Sequence, residues 1–191
     1  FQNNNSSYTW VIDPLDGTVN YTKGIGICVI SIALTYKQET ILGVIYNPFT
    51  QELFYASKGN GAFLNGKLIT CSVKDTVSDM VILNSRSETR KGLWENFKSE
   101  FWELKAVGSV AYKLGLTAAG KADIFASLRP KNEWDICAGN CIINEASGKL
   151  IDLNGFERLY NQKNTIIEPG LIAGSISAVD KTYNILKKGN L

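Results

Sequence analysis

Histidine is absent from this chain of 191 residues. That absence alone removes Ser-His-Asp and Cys-His nucleophilic catalysis, zinc proteases of the HExxH type and imidazole-rich metal sites. Any catalysis must run on carboxylates, hydroxyls, lysines, backbone dipoles or a hard cation. The four cysteines, Cys28, Cys71, Cys137 and Cys141, contain no CxxC pair. Cys137 and Cys141 stand four apart in a helical stretch, half of a metal site at most, and the expected state is reduced thiols packed inside a cytoplasmic protein. The longest apolar stretches, such as Ile27–Leu34, fall far short of the roughly 18 residues of a membrane span, and no signal-peptide pattern is present. Lys and Arg number 20 against 18 for Asp and Glu. So small a surplus, with no basic stripe, argues against a nucleic acid polymer or an anionic membrane as the main partner.

What is present reads as a folded α/β protein. Hydrophobic residues make up 45% of the chain, enough to bury a real core. The first half is strand-like. Tyr8–Ile12, Cys28–Tyr36, Ile41–Tyr46 and Glu52–Ala56 are rich in β-branched and aromatic residues and separated by polar or Pro-containing turns. Asn65-Gly66 between two short apolar runs predicts a type I′ hairpin. The second half alternates. Strands are expected at Met80–Leu83, Trp102–Val107, Ala122–Ala126, Lys149–Leu153 and Leu171–Ala173, with helices at Glu88–Phe101, Ser109–Ala119, Trp134–Ala146 and Val179–Lys187. Such alternation implies a mixed or parallel sheet flanked by helices. The expected division is a β-rich part over residues 1–75 and an α/β part over 76–191, the break lying in Ser72–Asp79.

The chemistry concentrates in Trp10-Val11-Ile12-Asp13-Pro14-Leu15-Asp16-Gly17-Thr18. A strand delivers Asp13 at its carboxyl end, Pro14 is expected to stop the ladder, and the turn brings Asp16 back beside Asp13. Two carboxylates that close repel unless a cation lies between them. Oxygen-only ligation suits Mg²⁺, and the Leu15 carbonyl offers a further oxygen. Gly17 and Thr18 follow where backbone N–H groups would be unpaired, an anion seat beside the metal. A second candidate is Asp135 in Glu133-Trp134-Asp135 at the head of a helix, where it reads equally as a cap or as a ligand. Gly108-Ser109 opens another helix and reads as an anion contact or as a cap.

Asp13-Pro14-Leu15-Asp16-Gly17-Thr18, together with Trp134-Asp135 followed by Ala138-Gly139 and Glu145-Ala146-Ser147-Gly148, resembles the two signature motifs of the inositol monophosphatase family. The hairpin Gly59–Gly66 and Gly43–Pro48 before it are similar to the segment between them. The resemblance implies an αβαβα sandwich, a cytoplasmic homodimer, and Mg²⁺-dependent hydrolysis of a small phosphorylated metabolite with two or three ions. It assigns Asp13, Leu15, Asp16 and Asp135 to the metal. Asp13 and Thr18 go to catalysis, the threonine orienting the attacking water, and Gly17, Thr18, Gly108 and Ser109 go to the substrate; Lys131 joins the substrate contacts on its charge and not on the resemblance. Haloacid-dehalogenase phosphatases carry Asp-x-Asp-Gly-Thr; here the spacing is one residue longer, so a phospho-aspartate on Asp13 is not expected.

The substrate is read from departures. Inositol phosphatases carry an acidic residue upstream of Trp-Asp, and here that position falls on Ser127 or Leu128. The 14-residue spacer from Ala122 to Asp135, Ser85-Arg86-Ser87 and the Tyr160–Gly170 tail are more similar to the 3′(2′),5′-bisphosphate nucleotidase branch. Arg86, Arg129 or Lys131 would grip the second phosphate. Val19-Asn20-Tyr21 instead resembles the inositol phosphatases, which leaves inositol 1-phosphate as the alternative and a non-catalytic metal- or phosphate-binding homologue as a further one. The family also has upstream helices and an upstream metal-binding glutamate. None of the twelve residues before Asp13 is acidic, and Asn3–Ser7 is polar and loop-like. The expectation is therefore that the first helices and this glutamate precede Phe1, and that these residues alone turn over weakly or not at all.

Overall fold

A computed structural model describes residues 7–189; most of the polar Asn3–Ser7 stretch lies outside them. Strand β1 (Tyr8–Asp16) leads through helix α1 (Thr18–Thr22) to β2 (Val29–Tyr36), β3 (Glu39–Asn47), β4 (Glu52–Ser57), β5 (Ala62–Leu64) and β6 (Lys67–Ile69). These six strands form one antiparallel meander in chain order. Asn65 and Gly66 both have positive φ, 49° and 79°, as the type I′ turn requires.

The second part contains β7 (Val81–Ser85), α2 (Arg86–Arg90), β8 (Glu103–Val107), α3 (Val110–Ala118), β9 (Ile124–Ser127), β10 (Lys131–Asn132) and α4 (Glu133–Glu145). It closes with β11 (Gly148–Asp152), β12 (Ile166–Ile167), β13 (Leu171–Ser175) and α5 (Ile176–Lys188). Its five-stranded sheet runs β11-β13-β9-β7-β8 and is mixed: β7 pairs parallel with β8 and β9, while β13 pairs antiparallel with β9 and β11. A two-residue ladder joins β10 to β12.

The inward face of β2 is Val29, Ser31, Ala33 and Thr35, all buried. Small residues let a helix approach closely, and α4 packs across β2 and β3. The main core lies between the meander, helices α3 and α4, and the inner face of the second sheet. A second cluster, with Ile82, Trp94, Ile124, Ile172, Val179 and Leu186, seals the other face under α5. The described layers are thus sheet, helices, sheet, helix. Trp10, Ile12, Ile30 and Tyr36 on the outer face of β1 and β2 are exposed.

Two expectations are corrected. The helix expected over Glu88–Phe101 stops after one turn. Gly92 takes φ +71° and a 3₁₀ turn follows at Glu95–Phe97. Trp94 folds back to donate its indole N–H to Glu88 at 3.0 Å; Trp94, Phe97 and Phe101 are buried while Leu93 is exposed, so the apolar spacing serves an irregular packed segment. Nor does Pro14 end the ladder. Asp13 pairs with Ser31 and Asp16 with Val29, so Pro14 and Leu15 face the single residue Ile30, a β-bulge. Residues three apart in a regular strand point to opposite faces; the extra residue turns Asp16 to the same side as Asp13.

Candidate active site

The bulge has a direct chemical consequence. Carboxylate oxygens of Asp13, Asp16 and Asp135 lie within 4.8 Å of one another, although Asp135 comes from the first turn of α4. Asp135 is held there by the backbone N–H of Asn132, which donates to its Oδ2 at 2.9 Å. Asp13 takes the N–H of Leu15 at 3.1 Å. Asp16 is buried and accepts from both the Ser109 hydroxyl (2.8 Å) and the Ala111 N–H (2.6 Å). Burial pushes Asp16 up to about 6 against those two donors, and repulsion from Asp135 and Asp13 adds to the rise. Asp13 and Asp135 are raised as well, chiefly by burial. Three acids that resist ionisation alone, with Asp16 accepting from neutral donors and in no direct ion pair among the described residues, form a donor set that fits a hard divalent cation.

The Leu15 carbonyl accepts the Thr18 hydroxyl at 3.0 Å. Gly17, at φ +92°, precedes α1; a Cβ there would meet the Ile27 carbonyl oxygen at 2.8 Å. The first N–H groups of α1 have no intrahelical acceptor. Ser109, the N-cap of α3, accepts from the Tyr112 N–H at 3.1 Å while donating to Asp16, so its side chain is committed to the acidic group. All four cysteines are buried and free. Burial pushes the thiols of Cys71, Cys137 and Cys141 up to about 12, as expected of packing residues.

A cavity of about 480 Å³ opens from Asp16, Gly17 and Thr18 past Gly108 and Ser109 to Arg86 and Arg90. Lys23 and Lys113 also line it, so four cations face one carboxylate of the acidic trio. Lys131 and Arg129 are not on this lining. Lys131 lies 3.7 Å from Glu88 and donates to the Arg129 and Pro130 carbonyls.

Sequence reasoning passed over two residues here. Asn20 is buried one turn beyond Gly17; its amide donates to the Ile27 carbonyl at 2.7 Å and its oxygen accepts from Arg86 at 2.9 Å. The signal was available: an amide directly after the anion turn has little reason to be buried unless it clamps something. Lys113 is buried under the Gly108 turn, donating to the Val107 carbonyl at 2.9 Å and lying 5.0 Å from the Phe125 ring. Burial lowers it to about 8. A lysine amid apolar α3 residues was the one hint.

The model of the inositol monophosphatase family matches residues 2–182. The chain belongs to that family. It is 38% identical over 157 residues to inositol monophosphatase 2 of Solanum lycopersicum, covering 78% of this chain and 59% of that protein. It is 34% identical over 178 residues to a fructose-1,6-bisphosphatase/inositol-1-monophosphatase of Thermotoga maritima, covering 89% of this chain and 66% of that one. The crystal structure of the extragenic suppressor protein suhB from Bartonella henselae superposes with a TM-score of 0.85 at 32% identity, covering 96% of this chain and 70% of that one. The chain thus spans about 59 to 66% of the length of these two sequence relatives. The layered α/β fold expected from the motifs is the fold of the family.

Proposed function

We propose that the complete protein is an Mg²⁺-dependent phosphatase that hydrolyses a small phosphomonoester carrying a second anionic group, with 3′(2′),5′-bisphosphate nucleotides as the preferred class. The observation that carries this reading is the junction of the Asp13, Asp16 and Asp135 oxygens with a cavity lined by Lys23, Arg86, Arg90 and Lys113. When bound, two or three Mg²⁺ ions on these carboxylates and the Leu15 carbonyl would acidify water and neutralise phosphoryl and leaving-group charge. The remaining work belongs to the chain. The N–H groups at Gly17 and Thr18 hold the phosphate. The Thr18 hydroxyl spends its proton on Leu15, so its oxygen accepts from the attacking water and aims it. Asp13, the less buried of the first two acids, is placed to take the water's proton. The arginine end of the cavity would hold the second anion. The same reading makes the protein a cytoplasmic homodimer.

Inositol 1-phosphate is the alternative substrate, supported by the names of the relatives. Phosphate release from both substrates by the complete protein, with and without Mg²⁺, decides between them. A clear excess for inositol phosphate refutes the preference. Asp13→Asn with near-full Mg²⁺-dependent activity, or a phospho-aspartate trapped on Asp13, refutes the site. No release under any condition leaves the non-catalytic homologue as the better reading.

A further inference from the structure

The acid that is missing at Ser127 and Leu128 is replaced in space by one from another element. Glu88 of α2 is fully buried. Its Oε1 accepts the Ser127 hydroxyl at 2.6 Å and lies 3.7 Å from the Lys131 ammonium. Its Oε2 accepts the Trp94 indole N–H at 3.0 Å and the Leu128 N–H at 3.3 Å. A carboxylate therefore stands beside the positions where an inositol-binding acid is sought, but it is fully buried and its three hydrogen bonds and its ion pair are all made to the protein. It is off the cavity lining and does not meet substrate hydroxyls.

Glu88 lies in the single helical turn that carries Arg86 and Arg90 into the cavity. Three of its partners, Ser127, Leu128 and Lys131, lie on the stretch that leads from β9 to α4, the helix bearing Asp135. Arg86 in turn reaches Asn20 beside the anion seat. One buried carboxylate thus ties the arginine end of the cavity to both walls of the acidic site. Carboxylates of this kind are seldom buried for stability alone, since burying an ion pair roughly breaks even against apolar packing.

We infer that Glu88 is a positioning residue that sets substrate preference: by fixing the Arg86–Arg90 turn against the 127–131 loop, it selects phosphomonoesters with a second anionic group over neutral polyol phosphates. The inference rests on the function proposed above.

The test is Glu88→Gln in the complete protein, which keeps the shape and removes the charge. Three substrates are compared: 3′-phosphoadenosine 5′-phosphate, inositol 1-phosphate and p-nitrophenyl phosphate. Residues that hold contacting groups in place are worth roughly 10- to 100-fold. The expected result is a fall of about 10-fold or more in the preference for the bisphosphate, through KM, with kcat on p-nitrophenyl phosphate within about twofold. Ser127→Ala, which removes the 2.6 Å contact without touching charge, should move the ratio the same way by less, and serves if the first variant does not fold. An active wild type that prefers the bisphosphate, with a folded variant of either kind whose ratio is unchanged, overturns the inference alone. A uniform loss of kcat on all three substrates, the mark of a merely structural role, overturns it too. A wild type that favours inositol 1-phosphate, or is inactive with Mg²⁺, overturns the proposed function and the inference together.

Discussion

Asp16 and Glu88 are both buried carboxylates, 8% and 0% exposed, one lining the cavity and the other behind the turn that carries Arg86 and Arg90 into it, and they are arranged for opposite purposes. Asp16 receives only neutral donors, a hydroxyl and a backbone N–H, and the charges nearest to it in the acidic trio are two more carboxylates. Its deficit of positive charge is open. Glu88 receives three neutral donors and an ammonium, and its deficit is closed within the chain. A buried acid whose compensation is missing marks a site for something that binds; one whose compensation is built in marks a joint. Burial alone does not separate the two cases. The partner list does.

The largest effect that would break the comparison comes from charge removal. Asp16→Asn should lower Mg²⁺-dependent turnover of the complete protein by orders of magnitude and abolish the rise in melting temperature that Mg²⁺ binding at the acidic trio is expected to give. Glu88→Gln should leave that Mg²⁺-induced shift intact. Thermal melts of both variants with and without Mg²⁺ check this directly. If Mg²⁺ stabilises Asp16→Asn as much as the wild type, the acidic trio is not where the cation binds.

The open acid was legible in the sequence and the closed one was not, for a physical reason. Asp13, Asp16, Gly17 and Thr18 are brought together by a bulge and a turn within six residues, so their chemistry is local. The Asn65-Gly66 hairpin is local in the same sense. Glu88 meets Ser127 across 39 residues, and Ser109 meets Asp16 across 93; no periodicity encodes such a contact. The segment after Glu88 misled for a related reason. Its apolar residues recur at three and four, yet Gly92 in a left-handed conformation and a tryptophan that prefers the Glu88 carboxylate end the helix. The ladder between β10 and β12 is two residues long, below what any pattern can show. Of the three cations that the sequence offers for the second anion, Arg86, Arg129 and Lys131, the cavity lining includes Arg86, joined by Arg90 and Lys23, and leaves out the other two.

Lys113 sharpens the comparison, because it feels both acids. Asp16 and Glu88 favour its charged form, while Lys131 and Arg86 oppose it, and burial outweighs all of them. The folded pKa falls from the ordinary 10.5 to about 8, so between those values the unfolded chain binds more protons than the folded one. Stability must then rise with pH across that window. At ~1.4 kcal/mol per pH unit the change amounts to at most about 3 kcal/mol for a group this buried. Lys113→Met has no ammonium to desolvate and should lose that slope. Urea denaturation of the metal-free chain at several pH values between 7.5 and 10.5, wild type against variant, measures it; parallel curves would show that Lys113 is neutralised by its neighbours and not strained by burial.

The smallest effect tests the seam where the two acids' surroundings touch. Gly108 precedes the serine that holds Asp16, and a Cβ on it would lie 1.9 Å from the Asn20 amide nitrogen, the same side chain that binds Arg86 and the Ile27 carbonyl. Asn20 is buried and has nowhere to go without breaking one of those contacts. Gly108→Ala should therefore cost about 1–3 kcal/mol, as overpacking does, and lower the melting temperature by roughly 5 °C at ~2–4 °C per kcal/mol for a chain of this size. The cost should depend on Asn20. In an Asn20→Ala background the clashing amide is gone, so the same glycine substitution should cost well under half as much, a coupling that a double-mutant cycle reads directly. If the two costs simply add, the close approach of Gly108 to Asn20 is not what demands glycine there, and the arginine end of the cavity is not mechanically joined to the Asp16 site through this contact.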